Sequence, residues 1–210
     1  MQLRTYRWLA EPAAVAAYAF LYIWFFRRIH KLAWLPAAVF LLASHWRRRE
    51  GPAQLGLNGP WREPVVKLAP WVAVLVFGLL LVGYGVGTLE RFHLERSLSN
   101  LSLYLAWGFV QQYLLNGYFL NRLRAVLADG HASWTAALLF CAAHAPNPFL
   151  MAVTLAGGWL SARVYLRWRN LALLGLLHGV IGFLLHLVVP DAVARNFLVG
   201  PRYFDWRPEP

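Results

Sequence analysis

The chain has 210 residues, of which 60% are hydrophobic and only 14% are charged. Soluble domains carry about 25% charged residues, so this composition indicates an integral membrane protein. The net charge of +11 does not indicate nucleic-acid binding, because the basic residues stand between hydrophobic segments rather than along one face. The single cysteine, Cys141, excludes an intramolecular disulfide and a multi-cysteine metal cluster.

Long stretches without charged residues predict membrane helices, since a hydrocarbon core of about 30 Å requires about 20 apolar residues per helix. The first two stretches are short, and a short helix either tilts, thins the bilayer or spans it only in part. We therefore expect an all-α, polytopic membrane bundle of about seven transmembrane helices. The predicted segments are residues 10–26, 32–46, 68–88, 98–124, 131–147, 149–168 and 170–189.

The chain divides into three predicted regions. Residues 1–67 form an N-terminal helical hairpin and a basic loop, residues 68–190 form the membrane core, and residues 191–210 form an interfacial tail. With seven spans, the side of the N-terminus holds twelve lysines and arginines and the opposite side holds eight. The positive-inside rule therefore favours a cytoplasmic N-terminus.

Polar side chains at membrane depth occur in three of these segments. Such groups are costly, and they either pack inside the bundle or serve a function. Gln112 and Asn116 are four residues apart and share a helix face with each other. Amides and histidines in membrane helices also act as simple packing contacts, so that interpretation stays open. We expect one interior pocket to hold Gln111 or Gln112, Asn116, His144 and His178.

Small residues predict where helices approach closely. Gly175 and Gly179 form a small-xxx-small pair on the seventh segment. Gly157 with Ser161 could do the same on the sixth segment. His186 lies near the membrane interface and is expected to be structural, and His131 is expected to lie in a solvated loop.

The chain contains, in this order, the amide pair Gln111-Gln112, an F-x-x-x-H motif and the histidine His178. This order of motifs resembles the CPBP family of intramembrane proteases. That family includes type 2 CAAX prenyl endopeptidases and bacteriocin-processing or immunity proteins. The matching region runs from about 98 to 186, and the QLGL stretch at 54–57 resembles the short motif before the family's core. The motifs are the pair Gln111-Gln112, the F-x-x-x-H of Phe140 and His144 (followed by APNP), and the histidine His178.

The resemblance implies a site in which a glutamate activates water while histidines position it or stabilise the oxyanion, with metal involvement as the competing view. This sequence departs from that pattern. Gln111 and Gln112 stand where the two glutamates belong, Asn116 stands for the arginine, and Gly182 stands for the last residue of the third motif. Glutamine cannot accept and return a proton at neutral pH, so it cannot be the general base.

Acidic residues are absent from the core segments of the sequence, and the nearest, Glu95 and Asp129, flank segment ends. Any acid–base chemistry would therefore fall to His144 and His178, either directly or through a divalent metal whose bound water needs no carboxylate base. A peptidase of this kind would act on a membrane-embedded or lipidated peptide. The expected location is the bacterial inner membrane.

Two alternatives come from other functional classes. The first is a catalytically inactive homologue that binds a membrane peptide, a lipid or a partner protein as a chaperone, immunity or assembly factor. The second is a metal- or haem-binding membrane protein with His144 and His178 as paired ligands. The site residues implied by the resemblance are Gln111, Gln112, Asn116, His144 and His178.

Overall fold

A computed structural model describes the backbone of residues 2–91 and 94–207 and the side chains of residues 9–89 and 97–207. Residue 1 of the N-terminal region, residues 92 and 93 of the core region, the side chain of Glu95 and the last three residues of the tail lie outside the described residues. The division into three regions stays a prediction.

The part of the chain that the structure describes is helical and contains no strand. A π-helical turn, Tyr22–Phe26, follows the first helix, and a longer π-helix, Tyr113–Leu120, follows the fifth. Short 3-10 turns lie at Thr88–Arg91 and Arg195–Phe197. The α-helices are α1 (Gln2–Leu21), α2 (Arg27–Ile29), α3 (Leu35–Arg48), α4 (Arg62–Gly85), α5 (Leu94–Gln112), α6 (Asn121–Leu123), α7 (Asp129–Ala142), α8 (Pro148–Trp168), α9 (Leu171–Val188), α10 (Asp191–Ala194) and α11 (Arg202–Asp205).

Four helical stretches among the described residues are long and apolar enough to cross a membrane. The helical stretches that qualify are Leu9–Ile29, Arg62–Gly85, Pro148–Trp168 and Leu171–Val188, and each coincides with a predicted segment. The other three predicted segments are helical over most of their length but do not qualify, and the segment 131–147 leaves the helix at Ala142, so His144 lies in the turn that follows. Helix α7, for example, has 14 residues and is about 21 Å long. The structure thus agrees with an integral membrane protein made of helices, while the number of seven spans stays a prediction.

Two asparagines fix the starts of the helices that carry much of the core. The Asn147 side chain accepts a hydrogen bond from Leu150 N at 3.1 Å and caps α8. The Asn170 side chain accepts one from Leu173 N at 2.8 Å and caps α9. An N-cap oxygen satisfies a backbone N–H that has no partner within the helix. These caps therefore define where each helix leaves its loop.

Glycines let α5 and α9 pack backbone against backbone. A Cβ atom on Gly179 would lie 2.6 Å from Leu105 Cα, and one on Gly108 would lie 2.7 Å from Gly179 N. A Cβ atom on Gly175 would lie 2.8 Å from Phe109 Cδ2. A side chain does not fit at such distances. The close helix approach predicted from Gly175 and Gly179 is therefore confirmed.

On α8 the glycine that contacts a neighbouring helix is Gly158. A Cβ atom on Gly158 would lie 3.1 Å from Phe140 Cδ1 and 3.5 Å from Ala137 Cα, whereas nothing lies within 4 Å of one on Gly157. The prediction that Gly157 forms the helix contact was wrong by one residue. Successive residues of an α-helix point about 100° apart, and packing against α7 turns the Gly158 face inward.

Replacing Gly179 by alanine should destabilise the protein by about 1–3 kcal/mol, because the new methyl group overpacks the contact with Leu105. Thermal unfolding in detergent measures this change. Gly157→Ala is the matched control, since it adds the same methyl group where there is space and alanine is the better helix former by about 1 kcal/mol. Equal melting temperatures for the two variants would contradict the tight α5–α9 contact.

Candidate functional site

The amides of Gln112 and Asn116 lie at the junction between α5 and the π-helix that follows it. Asn116 is fully buried, and Gln112 is 4% exposed. The Asn116 Nδ2 atom donates a hydrogen bond to Gln112 Oε1 at 2.6 Å. The shared helix face predicted from their spacing is therefore confirmed. Short π-helical segments occur frequently at functional sites, and this one contains Asn116.

Ser161 of α8 joins these two amides into one network. Its hydroxyl donates to Gln112 Oε1 at 2.6 Å and accepts from Asn116 Nδ2 at 2.7 Å. The sequence suggested Ser161 only as a small packing residue. Its role as a hydrogen-bond partner of the two amides could not be predicted, because the sequence does not show which helices are neighbours.

The network fixes the tautomer of His178. Gln112 Oε1 accepts from both Asn116 and Ser161, so the other end of the Gln112 amide is the donor. That donor, Gln112 Nε2, lies 2.9 Å from His178 Nδ1. His178 Nδ1 therefore accepts, and the neutral ring carries its proton on Nε2.

His144 has the opposite tautomer. Its Nδ1 atom lies 2.7 Å from the carbonyl oxygen of Phe140, one turn earlier in the chain. A carbonyl oxygen only accepts, so Nδ1 carries the proton and Nε2 holds a lone pair. The Phe140 ring lies against both imidazoles, with ring centroids 4.8 Å from His144 and 5.8 Å from His178. The acceptor nitrogen, His144 Nε2, and the donor nitrogen, His178 Nε2, therefore belong to two rings that both contact Phe140.

The remaining sequence-predicted residues lie at the edge of this network or outside it. Gln111 is half-buried and takes no part in the hydrogen bonds of Gln112. A Cβ atom on Gly182 would meet Tyr104 Cδ1 at 3.3 Å, so this position faces an aromatic ring. His186 packs against Tyr104, with ring centroids 5.6 Å apart, and His131 is exposed. An open pocket between the amides and histidines stays a prediction.

One atom of the network has no hydrogen-bond partner. Asn116 Oδ1 is buried and unpaired, although both Asn116 donor contacts are made through Nδ2. A buried unsatisfied acceptor costs about 1–3 kcal/mol. Asn116 Oδ1 can therefore accept one further hydrogen bond.

The donor set does not fit a catalytic zinc ion. Such sites use three protein ligands and keep one position open, and His144 and His178 supply two imidazoles. Among the described residues, no group of three or more His, Cys, Asp and Glu side chains could hold a metal ion. We therefore derive no chemical step through a metal.

A second polar cluster surrounds Arg122, which is 4% exposed. Its Nε atom donates to Glu11 Oε1 at 3.1 Å, and its terminal nitrogens donate to Glu50 at 2.5 and 2.8 Å. Glu11 also accepts from Ser44 Oγ at 2.5 Å and from Arg48 at 2.7 Å. This cluster ties α1 and α3 to the segment that carries the amides.

His45 connects the charged cluster to the π-helix. Its Nδ1 atom lies 2.6 Å from Glu50 Oε2, and its Nε2 atom lies 2.7 Å from the hydroxyl oxygen of Tyr113. Tyr113 follows Gln112 directly in the chain. The charged cluster and the amide network are therefore adjacent along the same helical segment.

Sequence reasoning missed the part played by Glu11 and Glu50, and it named Glu95 and Asp129 as the nearest acidic residues. Asp129 is exposed and pairs instead with the half-buried Arg124 at 2.7 Å. Glu11 could have been found as a charge at the start of the first hydrophobic segment, because charges there need partners. The pairing of Glu50 has no comparable signal, since it lies in a charged loop.

The environment of Glu50 lowers the pKa of its carboxyl on balance. Burial would raise the pKa of the Glu50 carboxyl, but hydrogen bonds from Arg122 and His45 outweigh it and hold the pKa below the ordinary value of 4.5. Because the pKa is lower in the folded state, the carboxylate adds stability above pH 4.5. That contribution is lost as the pH falls through the folded-state pKa.

Glu50→Gln should therefore destabilise the protein by about 1–3 kcal/mol at neutral pH, because Arg122 loses a charged acceptor. The difference from the wild type should shrink as the pH falls below about 4.5, where the wild-type carboxylate protonates as well. Thermal unfolding in detergent across this pH range measures both effects. Glu63→Gln is the control, since Glu63 is 53% exposed and pairs only weakly with Lys67. A pH-independent difference for Glu50→Gln would contradict the role of this carboxylate.

The C-terminal tail packs against the loop that follows His144. Asn147 is fully buried, and its Nδ2 atom donates to the carbonyl oxygen of Ala194 at 2.8 Å. The backbone N–H of Gly200 donates to the carbonyl oxygen of Ala145, also at 2.8 Å. The tail is thus attached next to one of the two site histidines.

Comparison with known proteins gives one finding. The family model described as Rce1-like, type II CAAX prenyl endopeptidase Rce1-like, matches residues 93–184. The matched range is somewhat less than half of the chain and includes the amides, His144 and His178. No curated protein and no solved structure matches the chain.

Proposed function

We propose that the chain is a divergent peptidase homologue of the Rce1-like family of type II CAAX prenyl endopeptidases. The match of residues 93–184 to the model of that family supports this proposal, in line with the CPBP resemblance of the sequence. In this proposal the chain binds an amide group of a membrane-embedded or lipidated peptide between His144 and His178. The observation that carries the proposal is the opposite tautomers of these two rings, which both lie against Phe140.

A peptide group has one acceptor and one donor, and the two rings offer the complementary set. His178 Nε2–H can donate to a carbonyl oxygen, and His144 Nε2 can accept from an N–H group or from water. In a dry site such hydrogen bonds are strong, because no water competes for them. The Gln112 amide supports this arrangement by holding His178 in the required tautomer.

Hydrolysis by this pair follows a simple course in the proposal. His144 Nε2 takes a proton from water while the water oxygen bonds to the substrate carbonyl carbon. His178 Nε2–H stabilises the negative charge that develops on the carbonyl oxygen. The C–N bond then breaks, and the proton held by His144 passes to the leaving amine. Gln112 orients His178 and takes no proton.

A second candidate function is binding without cleavage. The Gln112, Asn116 and Ser161 side chains satisfy one another as neutral groups. Such a network can recognise a peptide or a lipidated chain end, but it supplies no proton acceptor. A chaperone, immunity or assembly factor would need nothing more from this site.

The location is part of the proposal. An integral membrane protein follows from the family and from the apolar helices. We place it in a bacterial inner membrane with a cytoplasmic N-terminus, because twelve lysines and arginines fall on that side and eight on the other if seven spans are present.

Replacing His144 or His178 by alanine should reduce function per folded molecule to near background, because each ring supplies one of the two hydrogen bonds to the peptide group. The measurement is binding and cleavage of a prenylated CAAX-type peptide by purified protein in detergent, divided by the folded fraction. Background hydrolysis without the general base is typically slower by 10² to 10⁴. His131→Ala is the control, because His131 is exposed.

The two candidate functions separate in this experiment. Cleavage by the wild type that disappears in both variants supports the peptidase. Binding without cleavage, lost in both variants, supports the second candidate. Wild-type values for both histidine variants would remove His144 and His178 from the function altogether.

Restoring the carboxylates should not create a robust peptidase. Gln111→Glu together with Gln112→Glu adds proton acceptors, but Asn116 stands where the family has arginine, so a buried carboxyl would stay largely protonated. Arg122 cannot supply the charge, because Glu11 and Glu50 already occupy it. The same peptide assay tests this variant, and strong cleavage that the wild type lacks would show that the missing arginine is not the obstacle.

A further inference from the structure

An open hollow of about 770 Å³ lies at the C-terminal end of α3. It is large enough for a hydrated phosphate group, since one water molecule takes about 30 Å³. The hollow belongs neither to the amide network nor to the two site histidines. Its lining consists of Ala43, His45, Trp46, Arg47, Arg49, Glu50 and Gly51.

The inner wall of the hollow is electrically balanced. Glu50 is bound by Arg122 through two hydrogen bonds and by His45 through a third. Behind it, Arg48 is bound to Glu11 at 2.7 Å. These charges satisfy one another and have little left to attract a ligand.

The outer wall carries positive charge that is not balanced in this way. Arg47 is 79% exposed and lies 4.0 Å from the nearest oxygen of Glu11, the limit of an ion pair. Arg49 is exposed, and no carboxylate among the described residues pairs with it. The left-handed backbone at Arg49, with φ of 55°, ends α3 and turns the chain away from the helix. Arg47 and Arg49 therefore flank the paired Arg48 in the chain, one in the last turn of the helix and one at its C-cap.

Position relative to the membrane limits what could occupy the hollow. Arg47 and Arg49 follow a predicted membrane segment, 32–46, and Trp46, the last residue of that segment, is 83% exposed. Exposed tryptophans gather at the level of lipid headgroups. Arginine is well suited to phosphate, because its planar group can donate two hydrogen bonds at once.

We propose that this hollow binds the phosphate of an anionic phospholipid headgroup through Arg47 and Arg49, with Trp46 against the lipid. The site does not depend on peptide binding or cleavage. It follows from charge and position. Arg47 is paired only at the 4.0 Å limit, and Arg49 has no carboxylate partner among the described residues. Both lie beside an interfacial tryptophan at the depth of anionic lipid headgroups.

The test measures lipid binding to the purified full chain in a neutral detergent, with native mass spectrometry as the readout. Phosphatidylglycerol is titrated against wild type, Arg47→Gln with Arg49→Gln, and the control Arg62→Gln with Lys67→Gln, which removes two exposed positive charges elsewhere. At about fivefold per cationic residue, the first double variant should bind phosphatidylglycerol roughly 25-fold more weakly, and the control should bind as the wild type does. Arg47→Lys with Arg49→Lys keeps the charge and should retain most of the affinity.

Three results would overturn the proposal. Equal losses in the two glutamine double variants would mean that only the overall charge of the protein matters. Equal binding of phosphatidylcholine and phosphatidylglycerol to the wild type would remove the selectivity for an anion. Inorganic phosphate binding as tightly as phosphatidylglycerol, and sensitive to the same two arginines, would identify a soluble anion as the ligand. Melting temperatures of all variants, measured in the same detergent, show that each is folded.

Discussion

The contact between α5 and α9 is the constraint on which the site depends. Gly108 and Gly179 leave no room for a side chain between the two helix backbones. Only at this separation can Gln112, one turn beyond Gly108, reach His178 on the facing helix at 2.9 Å. In a membrane, where lipid is as apolar as leucine, helices associate largely through such close packing and through hydrogen bonds between them.

Within the site, the direction of each hydrogen bond determines the direction of the next one. Ser161 and Asn116 both donate to the same oxygen of Gln112, which leaves its NH₂ group as the donor to His178. Each assignment follows from the one before it, because amide and hydroxyl groups have fixed numbers of donors and acceptors. A serine on α8 thereby determines which nitrogen of His178 carries the proton.

The helical period was enough to predict part of this arrangement. The four-residue spacing of Gln112 and Asn116 placed them on one face, and Gly175 with Gly179 indicated a close contact. Both are properties of a single helix, so they can be derived from local sequence. The family model matches residues 93–184, a range that includes these positions.

What the sequence could not provide was the pairing between distant elements. Arg122 binds Glu11, a partner 111 positions away in the chain, and in the sequence both resemble ordinary charges at the ends of hydrophobic segments. The inward face of α8 posed the same difficulty, since only the position of α7 distinguishes Gly158 from Gly157. Such contacts are set by tertiary packing rather than by propensity or periodicity.

The partners of the two half-buried carboxylates, Glu11 and Glu50, are also synthesised at different times. A chain is synthesised from its N-terminus and begins to fold in that direction, so Glu11 and Glu50 leave the ribosome long before Arg122. Until Arg122 has been synthesised, Glu11 can accept hydrogen bonds from Arg48 and Ser44, and Glu50 can pair with His45. All of these residues lie within the first 50 of the chain. The first 50 residues therefore carry counter-charges for both carboxylates, and Arg122 joins carboxylates that already have partners.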